Sequence, residues 1–554
     1  MKLNPIGAAL TLAALMAVPG TDATACTNLI AGKKATADGS VMITYAADSH
    51  NLYGMLTHTP AARHRPGEVR KVIEWDTNKP LGEIPQPAET YNVVGNMNEW
   101  QVAIGETTWG GREELCDTTG NSIIDYGSLI QIALERSKSA SEAVDIMTDL
   151  VDKYGYASEG ESFSIADKDE VWVLEMIGKG AEKGAVWIAV RIPDNAIAAH
   201  ANEPRIRRVD LKDKKNVRYA KDMISFARKR GYFNGKDEDF SFADVYGEHD
   251  PATRRSCDAR AWSYLRRFND SMEPYYAWCA GESDEPFPLY VIPDRKVSLE
   301  DMQLSMRDHF EGTPFEMTSD PGAGPFHVPY RWRPMSFEVD GNEYCMERAI
   351  GTQQTGWSFV SQSRDWLPDP VGGIIWFGTD DTNTSVYMPF YCSMTQVPAQ
   401  LAPGDINNFS MDSNFWMNNW VANQAYNRYD LMIPDIRKVQ GALENSFIDS
   451  RAEREAHLKN LAESGNMAHL IEDVNSEGAE IAKTATDSYR KLAEYLLVRF
   501  MDGNMKKLDK DGNFQYNEYG IALYPDFPGY DKAYYERIVK ETGDHFLIPA
   551  PSAE

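Results

Sequence analysis

Short apolar runs, separated by turn-forming residues, fill most of the chain between residues 26 and 205. Such runs are typical of β-strands, and Asp38-Gly39 between the first two runs indicates the tight turn of a hairpin. The pattern predicts strands over residues 26–31, 41–46, 91–94, 100–107, 162–166, 170–176, 185–191 and 196–199. We therefore expect a body built largely from antiparallel hairpins.

Residues 126–153 follow a different pattern, because their apolar side chains recur at the spacing of a helix. Ser139 followed by Glu142 is a capping-box pattern inside this segment. It predicts two helices with a break near Ser137. Antiparallel hairpins with helices between them indicate an α+β layered sandwich.

The segment 206–340 is rich in Pro, Gly, Asp and Arg, which predicts long loops and short helices inserted into the body. Residues 372–378 and 385–391 return to the strand pattern and predict a closing hairpin of the same sheet system. The chain turns helical after about residue 410, most clearly over 435–454 and 477–500. The predicted units are a leader (1–25), the sandwich with its insertions (26–404), a helical region (405–500) and a loop-like tail (501–554).

The first residues have the features of a secretory signal. Lys2 supplies the positive start, residues 8–18 are mostly apolar, and Ala23-Thr24-Ala25 fits the small-residue cleavage rule. The apolar run is shorter than the roughly 20 residues that span a bilayer. We therefore expect an exported protein, periplasmic or extracellular, whose mature chain begins at Cys26.

The net charge of −27 argues against nucleic acid and anionic membranes as partners. None of the six cysteines forms a C-x-x-C pair, and the ten histidines show no ligand-like spacing. We therefore predict no metal and no cofactor. Cys257 and Cys279 could form a disulfide, and neither this pairing nor assembly into a homo-oligomer is decided by the sequence.

Removal of the leader would change the chemistry of Cys26. Its backbone nitrogen would become a free α-amine with an ordinary pKa of about 7.7–8.0, beside a thiol with an ordinary pKa of about 8.5. Such an amine can accept the thiol proton, directly or through one water, while the sulfur attacks a carbonyl carbon. Asp48 ends the second predicted strand, and the hairpin would return it towards Cys26 as an orienting carboxylate.

Several spaced blocks, in order over about residues 26–500, resemble the C69 family of dipeptidases, bacterial relatives of the secernins. The blocks are Cys26-Thr27-Asn28, Gly32-Lys33, 35–40, Asp48, 95–99, 105–108, 163–167, 172–175, 354–359, 364–368, 372–378, 386–391, 415–421 and Tyr429. The resemblance implies a four-layer αββα N-terminal-nucleophile hydrolase fold. It also implies hydrolysis of dipeptides and short peptides through a thioester.

The resemblance also implies residue roles. Cys26 would be the nucleophile, its amine the base, and Asp48 the acid near the amine. Asn202 lies where the wider superfamily places an oxyanion-hole asparagine. Glu106 falls in the block that faces the nucleophile, where it would bind the substrate's amino end or line the oxyanion region.

An arginine is expected downstream as a substrate-binding residue, and Arg254 or Arg255 is the nearest candidate. The chain departs from the family pattern at one place, where Tyr45 stands in the position of an arginine. Tyrosine donates a hydrogen bond but carries no charge near neutral pH, so this change bears on the substrate range and on thiol activation.

Two other functions remain open. An amidase acting on acylated amino acids or bile-salt-like amides would share the fold and the mechanism, and differ in the shape of the pocket. A non-catalytic lipoprotein lipidated at Cys26 is the alternative from another class. The apolar run stops at Val18, far from the cysteine, and Ala23-Thr24 lacks the leucine of a lipidation signal.

Overall fold

The computed structural model describes residues 26–117, 119–247 and 249–549, so the predicted leader 1–25 lies outside the described residues. The strands are β1 (Asn28–Ala31), β2 (Val41–Asp48), β3 (His58–Thr59), β4 (Ala62–Arg63), β5 (Val69–Ile73), β6 (Pro80–Pro85), β7 (Glu89–Thr90), β8 (Val93–Val94), β9 (Met97–Asn98), β10 (Ala103–Gly110), β11 (Gly160–Ala166), β12 (Val171–Lys179), β13 (Glu182–Ile192), β14 (Ile197–His200), β15 (Val217–Tyr219), β16 (Tyr290–Val291), β17 (Ser336–Val339), β18 (Asn342–Cys345), β19 (Thr355–Ser363), β20 (Ile374–Thr379) and β21 (Met388–Tyr391). The helices are α1 (Tyr126–Arg136), α2 (Ala140–Tyr154), α3 (Met223–Arg230), α4 (Phe242–Tyr246), α5 (Pro251–Thr253), α6 (Ala259–Arg266), α7 (Tyr276–Cys279), α8 (Leu299–Ser305), α9 (Asp369–Gly372), α10 (Asn414–Ala425), α11 (Tyr429–Glu463), α12 (Met467–Arg499) and α13 (Lys532–Thr542).

Two large sheets form the centre of the molecule. One has the strand order β16-β14-β1-β2-β19-β20-β21, and the other β15-β13-β12-β11-β10-β9-β8-β3. The strand pairs within both sheets are antiparallel. Every strand predicted between residues 26 and 205 corresponds to an observed strand, with ends shifted by a few residues. The predicted closing hairpin is β20–β21.

The sheets pack face to face, with β2 against β10 and β11, and helices cover both outer faces. Helices α1 and α2 lie on the sheet that contains β10, whereas α6, α8, α10, α11 and α12 lie on the sheet that contains β1. The resulting order is helix, sheet, sheet, helix. This confirms the predicted α+β fold and its four αββα layers. One apolar core lies under α1 and α2, and a larger one fills the rest of the sandwich.

The predicted break in the first helical segment is present. Helix α1 ends before Ser137, and Ser139 caps α2 by accepting a hydrogen bond from the backbone N–H of Glu142. The insertion 206–340 contains the predicted long loops and short helices, but it also supplies strands that were not predicted. Strands β15 and β16 pair at one edge of each large sheet, and β17 begins a separate hairpin. Helix α6 of the insertion packs against β14, and this contact places part of the insertion beside the start of β1.

The predicted helical region contains α10, α11 and α12, of which the last two are long and pack against each other. The tail is not wholly loop-like, because α13 lies within it. The side chain of Asp531 caps α13 by accepting from the backbone N–H of Tyr534. This acid before a run of helix-forming residues is a sequence signal that the prediction did not use.

All six cysteines lie in the described part of the chain and are free thiols there, so Cys257 and Cys279 are not bridged. Within the same residues, no helix combines the length and the apolar character that crossing a membrane requires.

Candidate active site

Cys26 lies two residues before the start of β1. Backbone hydrogen bonds join Thr27 to Ala46 on β2 in both directions, at 3.3 and 3.0 Å. They extend the β1–β2 pairing to the residue next to Cys26. Its side chain is buried, with 4% of the residue exposed. The hairpin predicted from Asp38-Gly39 therefore brings the end of β2 beside the thiol.

The opposite sheet reaches the thiol through β10. A Cβ atom at Gly105 would lie 2.2 Å from Oδ1 of Asn28, so only glycine permits the two sheets to approach this closely. The Nδ2 group of Asn28 donates to the carbonyl of Glu106 at 2.5 Å. As a result Oε1 of Glu106 lies 3.6 Å from Sγ of Cys26 and accepts a hydrogen bond from the hydroxyl of Tyr45.

These groups hold the thiol in its neutral form. Burial, followed by the negative charges of Glu106 and Asp48, raises the pKa of Cys26 well above its ordinary value. Burial also raises the pKa of Glu106 to about 7, against the lowering effect of its hydrogen bonds from Tyr45 and Cys26. Glu161 lies behind Glu106 on β11. Its pKa is raised by burial and by Glu106, so two buried carboxyls compete for ionisation.

Asp48 lies on the other side of the thiol, at the end of β2. Its carboxylate accepts from Oγ1 of Thr355 at 2.6 Å and from Nη2 of Arg348 at 2.7 Å. Burial raises its pKa to about 6, although the charge of Arg348 lowers it. The backbone of Asp48 also hydrogen-bonds the thiol of Cys26, which favours the thiolate.

Asn202 follows β14 and has a left-handed backbone, with φ of +60°. Asparagine is among the residues that tolerate this conformation. Its Nδ2 group donates to the carbonyl of Thr108 on β10. Its Oδ1 atom accepts from Arg260 at 2.9 Å and from Arg348 at 3.5 Å. The two arginines therefore fix which way the side-chain amide points.

Arg260 on α6 is a fully buried cation that contacts the backbone of the cysteine. Its guanidinium donates to the carbonyls of Cys26 (2.7 Å), Ala201 (3.2 Å) and Ser256 (2.9 Å), to Oγ1 of Thr27 (2.7 Å) and to Oδ1 of Asn202 (2.9 Å). All five contacts suit the planar fork of arginine, which cannot be replaced by lysine without losing several of them.

The predicted Arg255 lies one turn before Arg260, in a π-helical segment that precedes α6. Its guanidinium donates to the carbonyl of Cys345 at 3.2 Å. The neighbouring candidate Arg254 stacks on Trp278, 3.7 Å from the ring centre. The arginine that contacts Cys26 is therefore Arg260, and a role of Arg255 in binding substrate stays a prediction.

The structure thus gathers five of the predicted residues around one point and adds two that the sequence did not indicate. The predicted ones are Cys26, Tyr45, Asp48, Glu106 and Asn202, and the added ones are Arg260 and Arg348. A signal for Arg260 existed, because it is a charged residue in the apolar run Ala259-Arg260-Ala261-Trp262. Arg348 lies in a loop with no such pattern.

Residues 25–442 match the model of peptidase family C69. The chain belongs to peptidase family C69. It is 27% identical over 406 residues to a probable dipeptidase of Salmonella dublin, which covers 69% of this chain and 83% of that protein. It is 24% identical over 502 residues to dipeptidase A of Lactobacillus helveticus, covering 85% of this chain and 93% of the relative.

A third relative of this C69 peptidase is a dipeptidase of Bifidobacterium longum, 25% identical over 485 residues, with 78% and 84% of the two chains covered. Among solved structures, penicillin V acylase from Agrobacterium tumefaciens matches with a TM-score of 0.29 and 12% identity, over 66% of this chain and 86% of that chain. A likeness this low carries no argument. The fold assignment rests on the observed order of layers. The enzyme class, a peptidase, rests on membership of the family.

Proposed function

We propose that this C69 peptidase is an exported dipeptidase that hydrolyses its substrates through a thioester on Cys26. The observation that carries the proposal is the contact of the Cys26 thiol with Glu106 and Asp48, at the residue that leader removal would make N-terminal. Two buried carboxyls beside one buried thiol form a costly arrangement for stability alone. Such clusters of perturbed pKa values are typical of active sites.

The proposed reaction has two acyl-transfer steps. Once the leader is removed, the amine of Cys26 accepts the thiol proton as the sulfur attacks the peptide carbonyl. The tetrahedral intermediate collapses, the C-terminal amino acid leaves with a proton from the amine, and a thioester remains. Water then attacks the thioester, giving up a proton to the same amine, and releases the second amino acid.

Asp48 and Asn202 would support these steps from fixed positions. Asp48 is ionised above a pH of about 6 and lies where it can hold the protonated amine. The amide nitrogen of Asn202 has two N–H groups, and its hydrogen bond to Thr108 leaves the second for an oxyanion. Loss of one such donor typically costs about 10²–10³ in rate.

Glu106 is the proposed site for the free amino group of the substrate. Its carboxylate is buried among neutral groups and another carboxyl, so an entering ammonium would supply the missing positive charge. This arrangement favours substrates with a free amine next to the scissile bond. The three relatives named dipeptidases support the same substrate class.

Export is part of the proposal and is supported by the leader pattern of residues 1–25 alone. Intact mass and N-terminal sequencing of purified active protein test it together with the mechanism. A chain that starts at Cys26 with an unmodified amine is the expected result. A different first residue would contradict the mechanism, and the added mass of a lipid would identify the lipoprotein instead.

The catalytic test compares Cys26→Ser with the matched control Cys116→Ser on a panel of dipeptides. We expect the first variant to lose at least about 10³ in kcat/KM, because a serine hydroxyl is a far weaker nucleophile at neutral pH. The control should retain wild-type activity. Full turnover by Cys26→Ser would refute the proposal, and hydrolysis of N-acylated amino acids but of no dipeptide would identify the amidase instead.

A further inference from the structure

Three arginines gather near Asp48, beside the thiol. Arg348 donates to the carboxylate of Asp48 at 2.7 Å and to Oδ1 of Asn202 at 3.5 Å. Arg260 donates to the same oxygen of Asn202 at 2.9 Å. The third is Arg333, which lies in the segment that precedes β17. The first two contact residues already placed in the proposed reaction, whereas the third has no role in it.

Arg333 is joined to the end of β2 through Gln354. Its guanidinium donates to Oε1 of Gln354 through Nε, at 2.8 Å, and through Nη2. The carbonyl of Gln354 accepts from the backbone N–H of Ser49 at 2.9 Å, and Ser49 directly follows Asp48. The backbone of Asp48 hydrogen-bonds the Cys26 thiol. A continuous series of contacts therefore leads from the thiol to Arg333.

The positive charges of the three arginines repel one another. Burial, followed by repulsion from Arg260 and Arg333, lowers the pKa of Arg348 to about 9, against the raising effect of Asp48. Arg260 and Arg348 are buried, whereas Arg333 is half-buried and leaves part of its side chain accessible to an entering group. A negative charge that arrives at Arg333 would reduce this repulsion.

We propose that Arg333 binds the C-terminal carboxylate of the dipeptide whose carbonyl is attacked by Cys26. The inference rests on the proposed function and names the residue that limits its substrates to two amino acids. Arginine suits this task, because its planar guanidinium can donate two parallel hydrogen bonds to one carboxylate.

The two charged ends of a dipeptide match the charges around the thiol. Glu106 approaches the thiol from the sheet that contains β10, and Asp48 with its arginines from the sheet that contains β2. With the substrate amine at Glu106, the carboxylate at the other end is directed towards the arginines. That carboxylate carbon lies within about 4 Å of the scissile carbonyl carbon, and each further residue moves it by about 3.5 Å. A tripeptide would carry its carboxylate past Arg333.

The first experiment measures release of leucine by the mature wild-type enzyme from Leu-Gly, from its amide Leu-Gly-NH2 and from Leu-Gly-Gly. We expect kcat/KM on Leu-Gly to exceed that on the amide by at least about tenfold, because the amide loses a hydrogen bond between charged groups. The difference should lie mainly in KM, since the carboxylate is bound both before and during the reaction. Leu-Gly-Gly should be cleaved no faster than the amide.

The second experiment removes the cation. Arg333→Met should lower kcat/KM on Leu-Gly by at least about tenfold and leave that on Leu-Gly-NH2 almost unchanged, so that the acid and the amide become similar substrates. Arg333→Lys keeps the charge without the planar fork and should give an intermediate ratio. The matched control is Arg63→Met, because Arg63 is 91% exposed in its side chain and lies on the small β4–β7 sheet.

The outcomes separate this inference from the proposed function. If wild type cleaves none of the three peptides, the proposed function fails. If it cleaves the acid, the amide and the tripeptide equally well, it is a peptidase that does not bind the carboxylate. If wild type prefers the acid and Arg333→Met keeps that preference, another group binds the carboxylate. Either of the last two results would overturn the inference alone.

Thermal unfolding of each variant shows whether a change in the ratio accompanies a loss of folding. If Arg333→Met is unstable, Gln354→Met provides the result, because it removes the oxygen that holds the guanidinium in place. This variant should also lower the ratio of Leu-Gly to Leu-Gly-NH2. An unchanged ratio in a folded Gln354→Met variant would count against Arg333.

Discussion

The two buried carboxyls beside Cys26 have opposite surroundings. Asp48, at the end of β2, is paired with Arg348 and accepts from Thr355. Glu106, on β10, accepts from the neutral Tyr45 and Cys26 and has another carboxyl behind it. Burial raises both pKa values, to about 6 for Asp48 and to about 7 for Glu106.

The difference indicates different tasks. A carboxylate whose positive partner is built into the protein has a fixed charge and a fixed position, as an orienting group requires. A buried carboxylate without a built-in cation keeps a place for one that arrives from outside. The thiol lies between them, so a substrate amine and a nucleophile amine would each have their own carboxylate.

Removal of the positive charge of Arg348 tests whether Asp48 depends on a partner within the protein, and it should have the largest effect on stability. Arg348→Met leaves Asp48 as a buried negative charge, and loss of one partner of such a pair costs about 3–5 kcal/mol. We expect this loss in urea unfolding at pH 8. The cost should shrink as pH falls towards about 6, because without the charge of Arg348 the Asp48 carboxyl takes up its proton at a higher pH than in wild type.

The matched control is Arg295→Met, because Arg295 pairs with Asp301 at the surface and is 56% exposed in its side chain. Surface pairs contribute about 0–1 kcal/mol, so this variant should unfold almost as wild type does. The double variant Asp48→Asn with Arg348→Met should recover part of the stability. If Arg348→Met and Arg295→Met lost the same unfolding free energy at every pH, the unpaired charge of Asp48 would not be the cause of the loss.

The two carboxyls also differ from the arginines in how well the sequence predicted them. Cys26 and Asp48 flank two strands that form a predicted hairpin, so the β1–β2 pairing brings them together. Glu106 lies on the other sheet, and its place facing the nucleophile was predicted from the family resemblance. Arg260 and Arg348 come from the insertion and from a loop before β19. The contacts of Arg260 depend on how α6 packs against β14, and those of Arg348 depend on the path of the loop before β19. Local pattern carries no information about either.

The four-layer order was predicted from the family resemblance, because the hairpin pattern alone indicates only an α+β sandwich. The first sheet also joins distant segments, through the β14–β1 and β2–β19 pairs. Helix α13 was missed although Asp531 marks its start. The tail around it has many exposed aromatic side chains, which hide the helical pattern.

Glu106→Gln tests whether Glu106 binds a positive charge that the substrate brings. It removes the negative charge and keeps the size of the side chain, so binding of the substrate ammonium loses a charge-assisted hydrogen bond. We expect kcat/KM on free-amine dipeptides to fall by about 10²-fold. N-acetylated dipeptides, which lack the ammonium, should be poor substrates for wild type and variant alike. A loss of similar size on a substrate without an amine would refute the assignment.

The same variant should change the pH dependence of stability. The pKa of Glu106 is raised from about 4.5 to about 7, so its contribution is fully present below about pH 4.5 and is lost as pH rises through 7. Glu106→Gln has no such loss. Relative to wild type it should gain about 2 kcal/mol of unfolding free energy between pH 5 and pH 8. A constant difference across this range would contradict the raised pKa.

Tyr45→Phe is the finest test, because it changes one hydrogen bond and no charge. The hydroxyl of Tyr45 stabilises the ionised form of Glu106 and so lowers its pKa. Without this hydroxyl, the pKa of Glu106 rises further, and the pH at which stability falls should move upwards by about half a unit. We expect kcat/KM on dipeptides to fall about threefold to tenfold. Tyr45→Arg, which restores the family residue, places a cation beside Glu106 and should move that pH downwards. If both variants moved it in the same direction, Glu106 would not be the group that titrates, and the contrast with Asp48 would fail.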